Sequence, residues 1–121
     1  MSLDAILLLK DLSNYKFDFK NLFDVKDSII WKDCSDLTIK IDNKINKLIL
    51  NNCSNIHVIC NHSIAGIEYF KCNNIIQTIH TNHKISSIDI YATELTILIK
   101  KNNILPKIIK EDSKLIIELI K

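Results

Sequence analysis

The stretch Leu48-Ile49-Leu50-Asn51-Asn52-Cys53-Ser54-Asn55-Ile56-His57-Val58-Ile59-Cys60 decides the fold, because related copies stand on both sides of it. Upstream lie Ile29-Ile30-Trp31-Lys32-Asp33-Cys34, the polar pair Ser35-Asp36 and Leu37-Thr38-Ile39-Lys40-Ile41. Downstream lie Ile67-Glu68-Tyr69-Phe70-Lys71-Cys72, the pair Asn73-Asn74 and a run from Ile75. Cys34, Cys53 and Cys72 are therefore spaced 19 residues apart. A fourth copy, Ile88 to Ile99, keeps the pattern with Thr93 in place of the cysteine and one or two extra residues. Ile45, Ile64 and Ile85 mark a further inward position ahead of each copy's first strand.

Within the copies, β-branched residues alternate with polar ones at period two, which describes short strands and not helices. A repeat near 20 residues with two or three short strands is the pattern of a solenoid, in which each coil buries its apolar face against the coils above and below. The expected fold is all-β, a parallel β-helix of coils about 19 residues long. Adjacent coils about 4.8 Å apart would stack Leu37, Ile56, Ile75 and Leu95 in one inner column and Ile41, Cys60, Ile79 and Ile99 in another. Gln77 falls opposite Val58 and interrupts a third column. A leucine-rich repeat needs Leu at fixed offsets and an Asn ladder at one turn, whereas here Ile dominates and the asparagines scatter over several turns.

The ends of a solenoid need covers, because a terminal coil exposes both backbone donors and an apolar layer. At the amino end, Ser2 or Asp4 can cap a short helix through Leu12, with Ile6, Leu9 and Leu12 on one face. At the carboxyl end, Lys107 to Lys110 and Ser113 to Lys121 flank Glu111-Asp112 after Pro106 and predict a β-hairpin. Its second strand is apolar on both faces, which predicts a homodimer joined through Ile108, Leu115, Ile116, Ile117, Leu119 and Ile120. The 121 residues then form one domain, with a cap over 1–14, coils over 15–101 and the hairpin over 102–121.

Composition narrows the function classes. All 16 basic residues are lysine, and the net charge of +2 comes from interspersed signs with no continuous basic stripe, which argues against nucleic acid as a partner. The apolar run Ala5 to Leu9 is far short of a membrane span, and Asp4 stands where a signal peptide carries positive charge, so the expected location is the cytoplasm with no membrane partner. Cysteines at 19-residue spacing are not a zinc pattern, and His57, His62, His80 and His83 do not complete one. No metal and no cofactor are expected; in a reducing compartment the thiols act as small buried hydrophobes. No nucleophile elbow, phosphate loop or paired-carboxylate motif is present, and the single glycine, Gly66, cannot build a phosphate cradle. A binding module is expected, not an enzyme.

With these residues in view, the sequence resembles the C-terminal domain of cyclase-associated protein, a regulator of actin monomers. Lys44-Ile45-Asn46-Lys47-Leu48-Ile49-Leu50-Asn51-Asn52-Cys53 is similar to that family's Gly-Lys-Ile-Asn-Ser-Ile followed by Asp-Asn-Cys. Lys16-Phe17-Asp18-Phe19-Lys20-Asn21 is similar to its opening strand Lys-Trp-x-Val-Glu-Asn, with Phe for Trp and Lys for Glu. Pro106-Lys107 through Lys114-Leu115-Ile116 looks like the terminal hairpin that family members exchange between subunits. The resemblance implies a right-handed β-helix that binds monomeric actin, preferentially with ADP, and promotes nucleotide exchange on it.

Outward alternation and turn positions then nominate Phe17, Asp18, Lys20 and Asn21 with Lys40, Lys44, Lys47 and Asn51 as the actin-binding residues. The alternative is the tubulin-folding cofactor C family, similar in fold, whose members stimulate GTP hydrolysis with an arginine finger. A chain with no arginine lacks that device, leaving at most non-catalytic binding to a small GTPase or tubulin. A structural protein polymerising end to end is a further alternative.

Overall fold

The computed structural model describes residues 6–19, 26–80, 82–100 and 103–120. Six coils follow one another, each with two main strands. The first holds β1 (Ile6–Lys10) and β2 (Ser13–Phe19), and the second β3 (Ser28–Lys32) and β4 (Ser35–Ile41). The third holds β5 (Lys47–Asn51), β6 (Ser54–Cys60) and the short β7 (His62–Ser63); the fourth holds β8 (Ile67–Phe70), β9 (Asn73–Ile79) and the short β10 (Lys84–Ile85). The last two hold β11 (Ser87–Tyr91) with β12 (Glu94–Lys100), and β13 (Lys107–Glu111) with β14 (Lys114–Ile120).

The coils stack as parallel strands in two six-stranded sheets, ordered β1-β3-β5-β8-β11-β13 and β2-β4-β6-β9-β12-β14, with β7 and β10 on a third side. The expected columns are present: Leu37 pairs with Ile56, Ile56 with Ile75, and Ile75 with Leu95. Ile29, Trp31, Leu48, Leu50, Ile67, Tyr69, Ile88 and Ile90 bury the inner face of the first sheet against the second. Each such aliphatic side chain is worth about 1.5 to 3 kcal/mol when withdrawn from water. Gln77 keeps its place in the column, paired with Val58 and wholly buried, because the Tyr69 hydroxyl donates to its Oε1 at 2.6 Å.

The corners between the two sheets explain the polar pairs. Each tight corner needs backbone in the left-handed region, where Asn and Asp are better tolerated than other side chains. Asp33 and Asp36, Asn52 and Asn55, and Lys71 and Asn74 bracket the three cysteine corners, all at φ between 53° and 55°. The asparagines at these corners are therefore not scattered over several turns; they recur at two fixed corner positions and bond from coil to coil. Asn52 Nδ2 donates to Asp33 Oδ1 at 2.7 Å, Asn55 to Asp36, and Asn74 to Asn55 at 3.1 Å.

Between these corner residues the thiols form a second ladder. Cys53 Sγ faces the carbonyl two residues back, Asn51 O at 3.4 Å, and one a coil above, Trp31 O at 3.5 Å. Cys72 repeats this on Phe70 O and Leu50 O, both at 3.4 Å. Thr93 takes the same post with its hydroxyl, 2.8 Å from Tyr91 O and 3.3 Å from Tyr69 O. Ser113 continues it, donating to Glu111 O at 2.8 Å. From Cys34 to Ser113 the position holds a small donor aimed at carbonyls, supplied by cysteine, threonine or serine, while Leu12 takes it in the first coil.

Three further expectations are corrected. In its described part the capping helix is strand β1, paired with β3 from Ile6↔Ser28 to Lys10↔Lys32; its continuous apolar run satisfies period two as well as period 3.6. The terminal strands lie where expected but form no hairpin. β13 pairs in parallel with β11 and β14 with β12, so residues 107–120 are a last coil turning at Asp112, whose φ of 50° matches the other corners. On the third side, Ile64 is 55% exposed and Ser63 takes the inward place between Ile45 and Ile85, donating to Gly66 O at 2.5 Å.

Two outcomes test this account. Ala92 holds a corner at φ 48° without a side chain suited to it, so Ala92→Asn is expected to stabilise the fold by roughly 0.5 to 1 kcal/mol, and Asn52→Ala to destabilise it by about 1 kcal/mol, in thermal unfolding. Tyr69→Phe leaves Gln77 Oε1 buried without its donor and is expected to cost about 1 to 3 kcal/mol, whereas Tyr69→Phe/Gln77→Leu recovers most of that loss. Simple additivity of the two changes in denaturant titrations would contradict the pairing.

Candidate interaction face

Because side chains alternate across a strand, every inward column implies an outward one, and stacking sets each outward column in line. On the first sheet the central outer column runs Leu8, Ile30, Ile49, Glu68, Asp89, Ile109. Beside it runs Lys10, Lys32, Asn51, Phe70, Tyr91, Glu111. The upper half of this face is thus an apolar strip bordered by lysines. Its lower half is aromatic and acidic.

Phe70 and Tyr91, 40% and 39% exposed, stack at 5.0 Å between ring centroids and 12° between planes. Lys71 Nζ stands 5.3 Å from the Phe70 centroid, a cation drawn to the π face. Next to the rings, Glu68 and Asp89 sit directly opposite one another on neighbouring strands, an unfavourable like-charge pair. Lys47 Nζ relieves Glu68 at 2.6 Å, while the buried Oδ1 of Asp89 has no hydrogen-bond partner among the described residues. A groove of about 260 Å³ runs between Phe70, Tyr91, Asp89 and Ile109.

The second sheet presents a blander outer face. Its columns run Lys16, Thr38, His57, Ile76, Thr96, Ile116 and Asp18, Lys40, Ile59, Thr78, Leu98, Glu118. His57 Nε2 lies 2.8 Å from Thr78 Oγ1, and partial burial lowers its pKa, keeping it neutral near pH 7.

The nominated binding residues divide between the faces. Asp18 and Lys40 are in register on the second sheet. Lys47 and Asn51 stand on the first, and Lys44 is exposed between β4 and β5. Phe17 points inward, edge-on to Trp31 at 5.1 Å, and acts as packing over the first buried coil. Lys20 and Asn21 lie outside the described residues. The aromatic pair Phe70 and Tyr91 was missed, although both occupy the last outward position of their strands, 21 residues apart.

Nothing in these faces resembles a reaction centre. Among the described residues, no three His, Cys, Asp or Glu side chains converge to hold a metal. All four thiols are buried: burial raises the pKa of Cys34 and pushes Cys60 up to about 12, Cys53 is raised by the adjacent Cys72 thiol and by burial, and the same contact with Cys53 lowers that of Cys72. Cys34, Cys53 and Cys60, held protonated, are poor nucleophiles. No helix among the described residues is long and apolar enough to cross a membrane.

A search of the curated proteins finds no match. The sequence does match the family described as adenylate cyclase associated (CAP) C terminal, over residues 16–117, which run from β2 into β14 and take in both outer faces apart from β1 and the ends of β2 and β14. A two-sheet parallel solenoid with cysteine corners, matched over most of its length, is the basis for placing it: the chain belongs to the adenylate cyclase associated C-terminal family.

Proposed function

We propose that this domain binds monomeric actin through the outer face of its first sheet, prefers the ADP-bound monomer, and promotes nucleotide exchange on it. The family match across residues 16–117 is the observation that carries the reading. Exchange needs no catalytic group: a surface that binds a loosely nucleotide-holding conformation of actin better than the tight one shifts the population toward release. The reading places the domain in the cytoplasm as a homodimer joined at its last coil.

The first sheet is favoured over the second by its composition. Interfaces concentrate binding energy in exposed aromatics and a desolvated apolar centre, with charges at the rim. Leu8, Ile30 and Ile49 supply the centre, Phe70 and Tyr91 the anchors, and Lys10, Lys32 and Lys47 the rim. Non-catalytic binding of a small GTPase or tubulin is the competing reading, and no feature of either face favours it.

Titrating fluorescent ADP-actin monomers with the domain, and following nucleotide release, checks the proposal. Tyr91→Ala and Phe70→Ala are each expected to weaken binding about tenfold, near 1.4 kcal/mol, while Lys40→Ala on the opposite face changes it less than twofold, roughly 0.4 kcal/mol. Absence of binding at tens of micromolar removes actin as the partner. Loss on Lys40→Ala with Tyr91→Ala silent moves the contact to the second sheet.

A further inference from the structure

The third side of the coil is a short ladder with inward and outward columns of its own. Ile45, Ser63 and Ile85 face in, stacked and buried. The residues just before them therefore face out in line, Lys44 beside His62 and His62 beside Lys84, at about 4.8 Å per coil. Folding gathers three nitrogen-bearing side chains that stand far apart in the sequence.

No carboxylate among the described residues pairs with this column. Lys44 and Lys84 are exposed, and the one ion pair there is Lys47 with Glu68, on the first sheet. Asp42, the closest carboxylate along the chain, is exposed at the corner before Lys44. Partial burial lowers the pKa of His62, and Lys44, Lys84 and His83 lower it further, so the imidazole is neutral near pH 7 with a cation on either side.

The state of that ring follows from its surroundings. His62 Nδ1 is buried with no hydrogen-bond partner among the described residues. A proton there would be an unpaired buried donor, so the neutral ring carries it on Nε2 and presents an N–H between the two ammonium groups. His83 is engaged at both nitrogens: Nε2 donates to Ile104 O, and Nδ1 accepts from the Ile85 N–H at 3.3 Å, which braces the strand that carries Lys84. A second outward column, Asn46, Ile64 and Ser86, runs beside the first, and Ile64, His83, Lys84 and Ser86 line an open hollow of about 420 Å³.

Three donors, two of them charged, with no acceptor among them, select an anion. The lysines are point charges on flexible stems and can converge over His62. A phosphate carries enough oxygens to meet all three donors in charge-assisted hydrogen bonds, whereas a carboxylate offers two. The adjoining hollow leaves room for the organic group that bears it.

We propose that Lys44, His62 and Lys84 form a binding site for a phosphate or diphosphate group, carried by a soluble compound or by a lipid headgroup. The site lies on the third side, away from the face assigned to actin, and failure of either reading leaves the other standing.

Calorimetric titration of the full chain with sodium pyrophosphate at fixed ionic strength tests it, with circular dichroism confirming that each variant folds. Binding is expected with a Kd of about 1 mM or tighter. Lys44→Gln and Lys84→Gln are each expected to weaken it about fivefold or more, and Lys40→Gln on the second sheet less than about twofold. The His62 ring resonances in proton NMR are expected to move during the titration while those of His57 stay. A second arm, sedimentation with phosphatidylcholine vesicles containing phosphatidic acid, tells the sources apart: uptake lost on Lys44→Gln/Lys84→Gln supports a lipid headgroup, and pyrophosphate binding without uptake supports a soluble phosphate. No binding in either arm at about 10 mM phosphate groups, a fixed His62 signal, or equal weakening by Lys40→Gln and Lys84→Gln overturns the site.

Discussion

Everything in this molecule depends on the corner. A coil of two short strands cannot bury its inner face alone, so it is stable only when the next coil repeats its path closely enough for each side chain to land on its equivalent. At the cysteine corners two left-handed residues set the turn of the chain, and the small donor between them ties its own strand end and the coil above to one hydrogen. A slip of one residue would turn every inward isoleucine to solvent. The Asp–Asn bonds from coil to coil fix the same register from outside.

That constraint gives the composition a physical reading. Isoleucine, lysine and asparagine supply 54 of the 121 residues, a bias easily attributed to coding alone. The fold nevertheless sorts them by property: isoleucine fills the ladders, asparagine recurs at corners where left-handed backbone suits it, and many lysines stand on outer faces. Where a corner carries Lys71 or Ala92, the path is held by its neighbours despite a less suitable residue.

Period made most of the fold legible. The 19-residue spacing and the alternation located the strands, the columns and even the odd Gln77, because inward residues are mostly apolar and a polar one stands out against its column. Where local pattern was ambiguous, reading failed. Ile6 to Leu9 is apolar throughout and suits a helix or a strand equally, and only pairing with β3 decides. Glu111-Asp112-Ser113 looks like a hairpin turn because a hairpin and a coil corner use the same turn residues; Ser113, in line with Thr93, was the available signal. The outer face was least legible, since solvent tolerates most side chains there. Asp18 and Lys40 met the outward rule on one face and Lys47 on the other, and Phe70 with Tyr91 emerges as a pair only once β8 and β11 are neighbours.

The same rigidity bears on the proposed activity. A face built on stacked coils holds its side chains at a spacing set by backbone hydrogen bonds, about 4.8 Å per coil, so a partner meets groups that need little ordering on contact. Such a surface is suited to telling two conformations of a partner apart, because it cannot adapt to both; a difference in fit becomes a difference in affinity, and affinity difference is all that population shift requires. The like-charged Glu68–Asp89 pair, which Lys47 relieves only on its Glu68 side, and the exposed Phe70–Tyr91 stack fit the proposed interface: both oppose local stability or solubility, a conflict that an external contact there would resolve.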